Sequence, residues 1–156
     1  MDKIIETKKF DDECIINLWR EAFGDPREDI EFFLDSCENK SVLCSYDLNG
    51  NLASMLFLVD CTVQGERYKY IYAACTGRAF RRRGEMTGLL DFAKECYSKI
   101  ILIPAHSDLV EYYRKRGFDK KTEISNIHFF EIEEIEEYLL DGCELEKPFA
   151  LAYTAE

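Results

Sequence analysis

The hydrophobic period of the chain changes several times, and each change predicts an element. Ile15, Leu18, Trp19 and Ala22 recur at i, i+3, i+4 and i+7, which predicts a helix with one buried face, ended by Gly24. Asp25-Pro26-Arg27-Glu28 predicts a capping box with proline at the first helical position. The helix it opens would bury Ile30, Phe33, Leu34 and Cys37. Ile4 and Ile5 predict a short strand ahead of both helices. From Ser41 the pattern shortens to strand-like runs, VLCSYDL and LASMLFLVDC, joined by Asn49-Gly50. Both residues of that pair tolerate the positive φ of a tight hairpin. A turn at Gln64-Gly65-Glu66 leads into the apolar, aromatic run from Tyr68 to Thr76, which suits a central strand. Together these segments predict an antiparallel meander of about three strands.

Helical spacing returns after GRAFRRRGE, with Met86, Leu89, Leu90 and Ala93 on one face. Ile100 to Ile103 predicts a short, fully apolar strand that Pro104 stops. Asp108 to Arg116 predicts a helix presenting Leu109, Tyr112 and Tyr113, with Gly117 as its terminator. Strands are expected from Phe118 onward and from Ser125 to Phe130. In EIEEIEEYLL, Ile132, Ile135 and Leu139 are spaced for one more amphipathic helix. The order predicts an α+β fold, a mixed, mostly antiparallel sheet flanked by helices on both faces. We expect a single domain over residues 1–156, of which 131–156 form an acidic C-terminal helix and tail.

Composition narrows the function. Of 156 residues, 47% are hydrophobic, enough for a real core. The 31 acids against 20 bases give a net charge of -11, which argues against nucleic-acid partners and against docking on an anionic membrane. No apolar run approaches the roughly 20 residues of a membrane span, and MDKIIETKKF lacks a signal-peptide core. The seven cysteines (Cys14, Cys37, Cys44, Cys61, Cys75, Cys96 and Cys143) are odd in number and form no CxxC. That pattern fits buried thiols in a reducing, cytoplasmic setting and offers neither a disulfide scaffold nor a metal site.

One segment departs from the acidic background. Arg78, Arg81, Arg82 and Arg83 fall within six residues, and the rest of the chain holds 16 bases against 31 acids. The run lies between an apolar strand and a helix, with Gly84 at the junction. The first N–H groups of a helix lack internal partners, and the helix dipole adds roughly half a positive charge there. Strand, basic glycine-containing turn and helix N-terminus together make a phosphate-binding arrangement. The plainer alternative is that the arginines are solvated and pair with nearby acids. Neither GxxxxGK[ST] nor GxGxxG occurs in the chain.

These residues resemble the GCN5-related N-acetyltransferase (GNAT) superfamily. Its acyl-CoA loop runs aromatic-[RQ]-x-x-G-x-[GA] after a central strand, and Phe80-Arg81-Arg82-Arg83-Gly84-Glu85-Met86 is similar to it. Thr87-Gly88-Leu89-Leu90 follows like the family's helix start. A second signature, [FY]-Y-x-x-x-G-F, is matched by Tyr112-Tyr113-Arg114-Lys115-Arg116-Gly117-Phe118, in the expected order. Three positions depart from the pattern: Met86 replaces a small residue, Arg82 stands where glycine is common, and His106 stands where the family often has asparagine.

The resemblance implies acetyl transfer from acetyl-CoA to a primary amine by direct attack in a ternary complex. It places the pyrophosphate on Arg81, Arg82, Arg83, Gly84, Glu85, Met86 and Thr87, and the pantetheine arm against backbone groups near Ala74 and Thr76. It makes Tyr113 the general acid for the departing thiolate; a plain reading of the same spacing makes Tyr113 a core aromatic. The base is not legible: Asp60, Glu66 and a water chain are candidates, and His106 and His128 are uncommitted. Cys75 sits near the presumed acyl site, but a buried cysteine is the default reading. Ten acids and one base fall in residues 123–156; a solvated helix face explains most of them, and a secondary reading is that acidity around the acceptor cleft attracts a cationic amine. The alternative function is a degenerate domain that binds acyl-CoA or a protein partner without turnover, favoured by Arg82, Met86 and the missing base. Strand edges in this fold often pair between subunits, which leaves room for a homodimer.

Overall fold

Apolar periodicity places most of the elements. In the computed structural model, which describes residues 3–155, β1 (Lys3–Thr7) precedes α1 (Asp12–Phe23) and α2 (Arg27–Ser36). The Asp11 carboxylate caps α1 by accepting from the N–H groups of Glu13 and Cys14. Gly24 ends it at φ 72, in the left-handed region that glycine enters cheaply. The capping box expected at Asp25 does not form. Helix α2 begins at Arg27 with Pro26 as its cap residue and no side-chain cap. Asp25 instead accepts from Trp19 Nε1 at 2.8 Å. Trp19 is buried, and its indole N–H needs a partner more than an exposed helix start does.

The meander consists of β2 (Lys40–Tyr46), β3 (Leu52–Val63) and β4 (Glu66–Thr76), all antiparallel neighbours. Its two turns exchange the expected chemistry. At Asn49-Gly50 only Gly50 has positive φ, because the Asp47 carboxylate accepts from the backbone of Asn49 and Asn51 and sets the loop. Gln64 and Gly65 both take positive φ, 51 and 83, the pairing a two-residue hairpin favours.

Helix α3 (Glu85–Cys96) crosses over to β5 (Lys99–Leu102), which runs parallel to β4; α4 (Ser107–Arg114) and β6 (Lys120–Thr122) follow. The segment after β6 contains β7 (Ile127–Phe129) and the expected helix, α5 (Glu133–Leu140). The tail is not merely acidic chain: it ends in β8 (Ala150–Thr154), inserted between β5 and β6. The sheet order is β1-β2-β3-β4-β5-β8-β6, and β7 pairs with residues 61–63 of β3, beyond the point where β2 ends.

Alternation along the strands divides the core. One face buries Trp19, Phe33, Phe57 and Ile135 beneath α1, α2 and α5. The other buries Leu43, Leu56, Leu89, Leu90 and Phe118 beneath α3 and α4. Residues 123–149 are fastened to the first face at separate points. The Glu131 carboxylate accepts from the backbone of Glu38 and Asn39, and the buried Tyr70 hydroxyl donates to the Leu139 carbonyl. No helix among the described residues is long and apolar enough to cross a membrane.

Candidate active site

Two neighbouring strands that pair only briefly create the opening. Strands β4 and β5 are matched at Lys69–Ile100 and Tyr70–Ile101, yet β4 runs on to Thr76 while β5 stops at Leu102. Beyond Tyr70 the two chains diverge around a cavity of about 500 Å³. Ile71 to Ala74 line one side, and Leu102, Ile103, Ala105 and His106 line the other. Tyr113 and Leu109 of α4 close it on one face of the sheet; Trp19, Phe23 and Asp25 close it on the opposite face. The cavity therefore passes through the sheet, so two reactants could enter from different sides.

A bulge interrupts β4 at this point. Tyr72 faces Phe57 and Cys75 faces Met55, so Ala73 and Ala74 together oppose Leu56. Ala73 adopts φ 54, which costs a non-glycine residue roughly 1 kcal/mol and twists the strand. The bulge redirects the backbone on both sides of Ala74, which lines the cavity, whereas Thr76 at the strand end does not. The Thr76 carbonyl accepts from Arg81 Nε at 3.2 Å.

The arginine run folds into a loop with two left-handed residues, Arg82 at φ 65 and Gly84 at φ 76. Such alternation turns successive amides toward one side, and no side chain caps the start of α3. A Cβ placed on Gly84 would meet nothing within 4 Å, so the space before the helix is open. Arg81, Arg82 and Arg83 are all exposed, and Arg83 lies over the Phe80 ring at 5.6 Å. Met86 packs its side chain into the core on the α3 face. Glu85 is buried and accepts from Ser45 Oγ at 2.7 Å, tying the first turn of α3 to β2.

Tyr113 is 8% exposed and lines the cavity, and its hydroxyl has no hydrogen-bond partner among the described residues. Burial, with Tyr112 nearby, pushes its pKa up to about 12, while Arg116 acts in the opposite direction. Asp60 and Glu66 are not brought to the cavity: they pair with Lys69 at 2.5 Å and Lys99 at 2.6 Å at the far end of the meander. His128 lies on β7, away from the lining, whereas His106 is part of it. Burial pushes Cys75 up to about 12, which makes it a poor nucleophile at neutral pH.

Sequence reasoning passed over several residues. Asp25, Asp141 and Glu144 line the cavity from loops remote in sequence, and nothing local marks them. Arg116 was legible as a third base inside the second motif. Its guanidinium stacks 3.6 Å from the Tyr112 ring centroid and donates to Thr87 Oγ1 at 3.2 Å and to the Tyr112 carbonyl at 2.8 Å. A cation is thereby moored beside the first turn of α3.

If the loop holds a diphosphate-bearing ligand such as acetyl-CoA, replacing Arg81 and Arg83 together with Ala is expected to weaken that binding by about tenfold and to flatten its salt dependence. Isothermal titration at two ionic strengths checks this, and an unchanged affinity would detach the loop from the ligand.

Similar solved structures include an acyl-CoA N-acyltransferase from Pseudomonas aeruginosa, 17% identical with a TM-score of 0.67, covering 99% of this chain and 100% of that one. A GNAT family N-acetyltransferase (YhbS) from Escherichia coli, solved in complex with CoA, is 19% identical with a TM-score of 0.55, covering 72% and 66%. A conserved protein of Enterococcus faecalis V583 is 18% identical with a TM-score of 0.58; the match covers 79% of this chain and 33% of that one. This chain thus spans a third of the length of the last and about two thirds of the second. Identities this low carry the fold alone. No curated protein matches the sequence significantly. The family model described as acetyltransferase (GNAT) domain matches residues 3–120, well over half of the chain. On that match, with the mixed sheet, the diverging strands and the uncapped loop agreeing, the chain belongs to the GNAT acetyltransferase family.

Proposed function

We propose that this protein is an N-acetyltransferase that moves an acetyl group from acetyl-CoA to a primary, cationic amine by direct attack in a ternary complex. The observation that carries the reading is Tyr113, a residue 8% exposed whose hydroxyl has no hydrogen-bond partner among the described residues and which lines the cavity that opens where β4 and β5 part. A hydroxyl that opens on the cavity in this way can donate to a ligand bound there.

The residues fit acetyl-CoA. The amides of Gly84, Glu85, Met86 and Thr87 would hold the pyrophosphate, with Arg81, Arg82 and Arg83 supplying charge around it. Backbone groups at Ala74 and Thr76 would align the pantetheine arm, the bulge at Ala73 aiming the first of them. Bound there, acetyl-CoA would supply an acyl thioester at the waist of the cavity.

Tyr113 Oη holds the proton that the departing sulfur requires. Burial pushes that hydroxyl up to about 12, and a thiolate departing into the same cavity would also be disfavoured in its charged form, which favours its taking the proton. With acetyl-CoA seated, the apolar walls would exclude water from the same place, and fixed backbone donors would act more strongly there. The likeness to a structure solved with CoA supports the donor end of this reading.

Calorimetric titration with acetyl-CoA, followed by thiol release over a panel of primary amines, tests it. Saturable binding with amine-dependent release is the expected result. Binding without release on any amine would leave the degenerate acyl-CoA-binding domain, and no binding would remove both.

A further inference from the structure

The cavity has an end that acetyl transfer alone does not require. Away from Tyr113 it reaches Trp19, Tyr72, Asp25 and Asp141. A smaller cavity of about 150 Å³ shares these four residues and adds Asp29 and Tyr138. The two adjoin as one trench that runs out between α2 and the end of α5.

The charge along its outer part has one sign. Asp25, Asp29 and Asp141 line it, no Lys or Arg does, and none of the three forms an ion pair among the described residues. Asp25 is fixed in place by the bond from Trp19 Nε1, and a carboxylate so held keeps acceptor capacity on its second oxygen. The walls are aromatic: Tyr72 stacks edge-on with Trp19 at 5.8 Å and lies 5.1 Å from Phe33. Carboxylates without counter-ions and electron-rich rings both favour a cation. At the inner end the requirement is reversed, because an attacking nitrogen must be uncharged, and there stands Tyr113, a residue 8% exposed whose hydroxyl has no partner among the described residues. One occupant satisfies both ends if it carries two nitrogens.

We propose that the acceptor is a flexible aliphatic diamine or polyamine, its distal ammonium held between Asp25 and Asp141 while its near amine reaches toward Tyr113. The inference rests on the acetyl-transfer reading above. A C–N bond forms at the near nitrogen as the thioester C–S bond breaks. One proton leaves that nitrogen for water, the sulfur takes one from Tyr113 Oη, water returns one to Tyr113, and the distal nitrogen is unchanged.

The test compares cadaverine with n-pentylamine, which differ by the distal amine. Thiol release is measured with acetyl-CoA, and cadaverine binding is measured separately by calorimetry on the protein alone. Both are repeated with Asp141→Asn and Asp29→Asn, two exposed positions. Cadaverine is expected to exceed n-pentylamine in kcat/KM by about tenfold or more, and Asp141→Asn to remove most of that preference and of the binding. A smaller preference in the unsubstituted protein, or one that survives both substitutions, overturns the proposal. If cadaverine binds in an Asp141-dependent way but no amine is acetylated, the cation site stands and acetyl transfer fails. If amines are acetylated without regard to the second nitrogen, the reverse holds. If cadaverine neither binds nor reacts, the proposal falls.

Discussion

Tyr113→Phe is expected to lower acetyl-transfer turnover by about 10²- to 10⁴-fold, the range a positioned general acid supplies, while acetyl-CoA affinity stays within about twofold. The substitution removes one oxygen and little else. The ring keeps its edge contacts with Tyr112 and Phe118, at 5.3 and 6.1 Å. The hydroxyl has no partner among the described residues, so its loss orphans nothing and folding stability should hold or rise slightly. A fall in turnover with an unchanged melting temperature therefore isolates the proton. The pH profile gives a second readout. With the Tyr113 pKa pushed up to about 12, the acid stays protonated through pH 10, so the rate should climb as the amine loses its proton and then level. Undiminished turnover in the variant, or a falling limb near pH 9, would take Tyr113 out of the chemistry.

The second large effect is alkaline unfolding. Burial pushes the thiols of Cys37, Cys61 and Cys75 up to about 12 and that of Cys44 to about 11, all from an ordinary value of 9.0. Each of the four is under a tenth exposed. The sign follows from which state holds the protons. Above pH 9 the unfolded chain releases thiol protons that the folded chain retains, so raising the pH favours unfolding. The stabilisation is complete below pH 9 and is lost as the pH climbs toward the folded-state values. Each group contributes about 1.4 kcal/mol per pH unit, so the four together approach about 5 kcal/mol per unit. Two such units, about 10 kcal/mol, are comparable with the roughly 5–15 kcal/mol that a whole domain holds. Melting temperatures measured under reductant should be flat from pH 7 to 8.5 and fall steeply between about pH 9 and 11. A curve that moves only a few degrees by pH 10.5 would contradict these burials.

Local chemistry explains which parts of this architecture could be read in advance. Helices α1, α3 and α4 were legible because their apolar residues repeat at helical spacing and glycines mark two of their ends. The mixed sheet and the place of the arginine loop followed from the order of elements and from the two motifs. Strand β8 was hidden because Ala150-Leu151-Ala152 is buried on both faces, shows no alternation and uses a residue strands ordinarily avoid. The bulge at Ala73 was hidden because alanine gives no sign of positive φ. The capping role expected of Asp25 failed for a tertiary reason: Trp19, six residues earlier, takes the carboxylate. The acidic end of the cavity was hidden altogether, since Asp25 and Asp141 become neighbours of Tyr72 only once α5 docks beside α2. Sequence motifs thus marked the arginine loop and Tyr113, whereas the acidic end of the cavity emerges from long-range packing.

The position of β8 has a consequence for biosynthesis. Among the described residues β6 pairs with β8 alone, and β5 has β8 on its outer flank, so both of those strand edges wait for residues 150–154 to leave the ribosome. A nascent chain halted after Thr122 would carry the meander and α3 but present a bare apolar edge at Ile100–Leu102. Such an edge invites pairing with another nascent chain. Slow translation across the acidic stretch before β8 would lengthen that exposure, and the charge repulsion of the same stretch would help keep neighbouring chains apart while the final strand arrives.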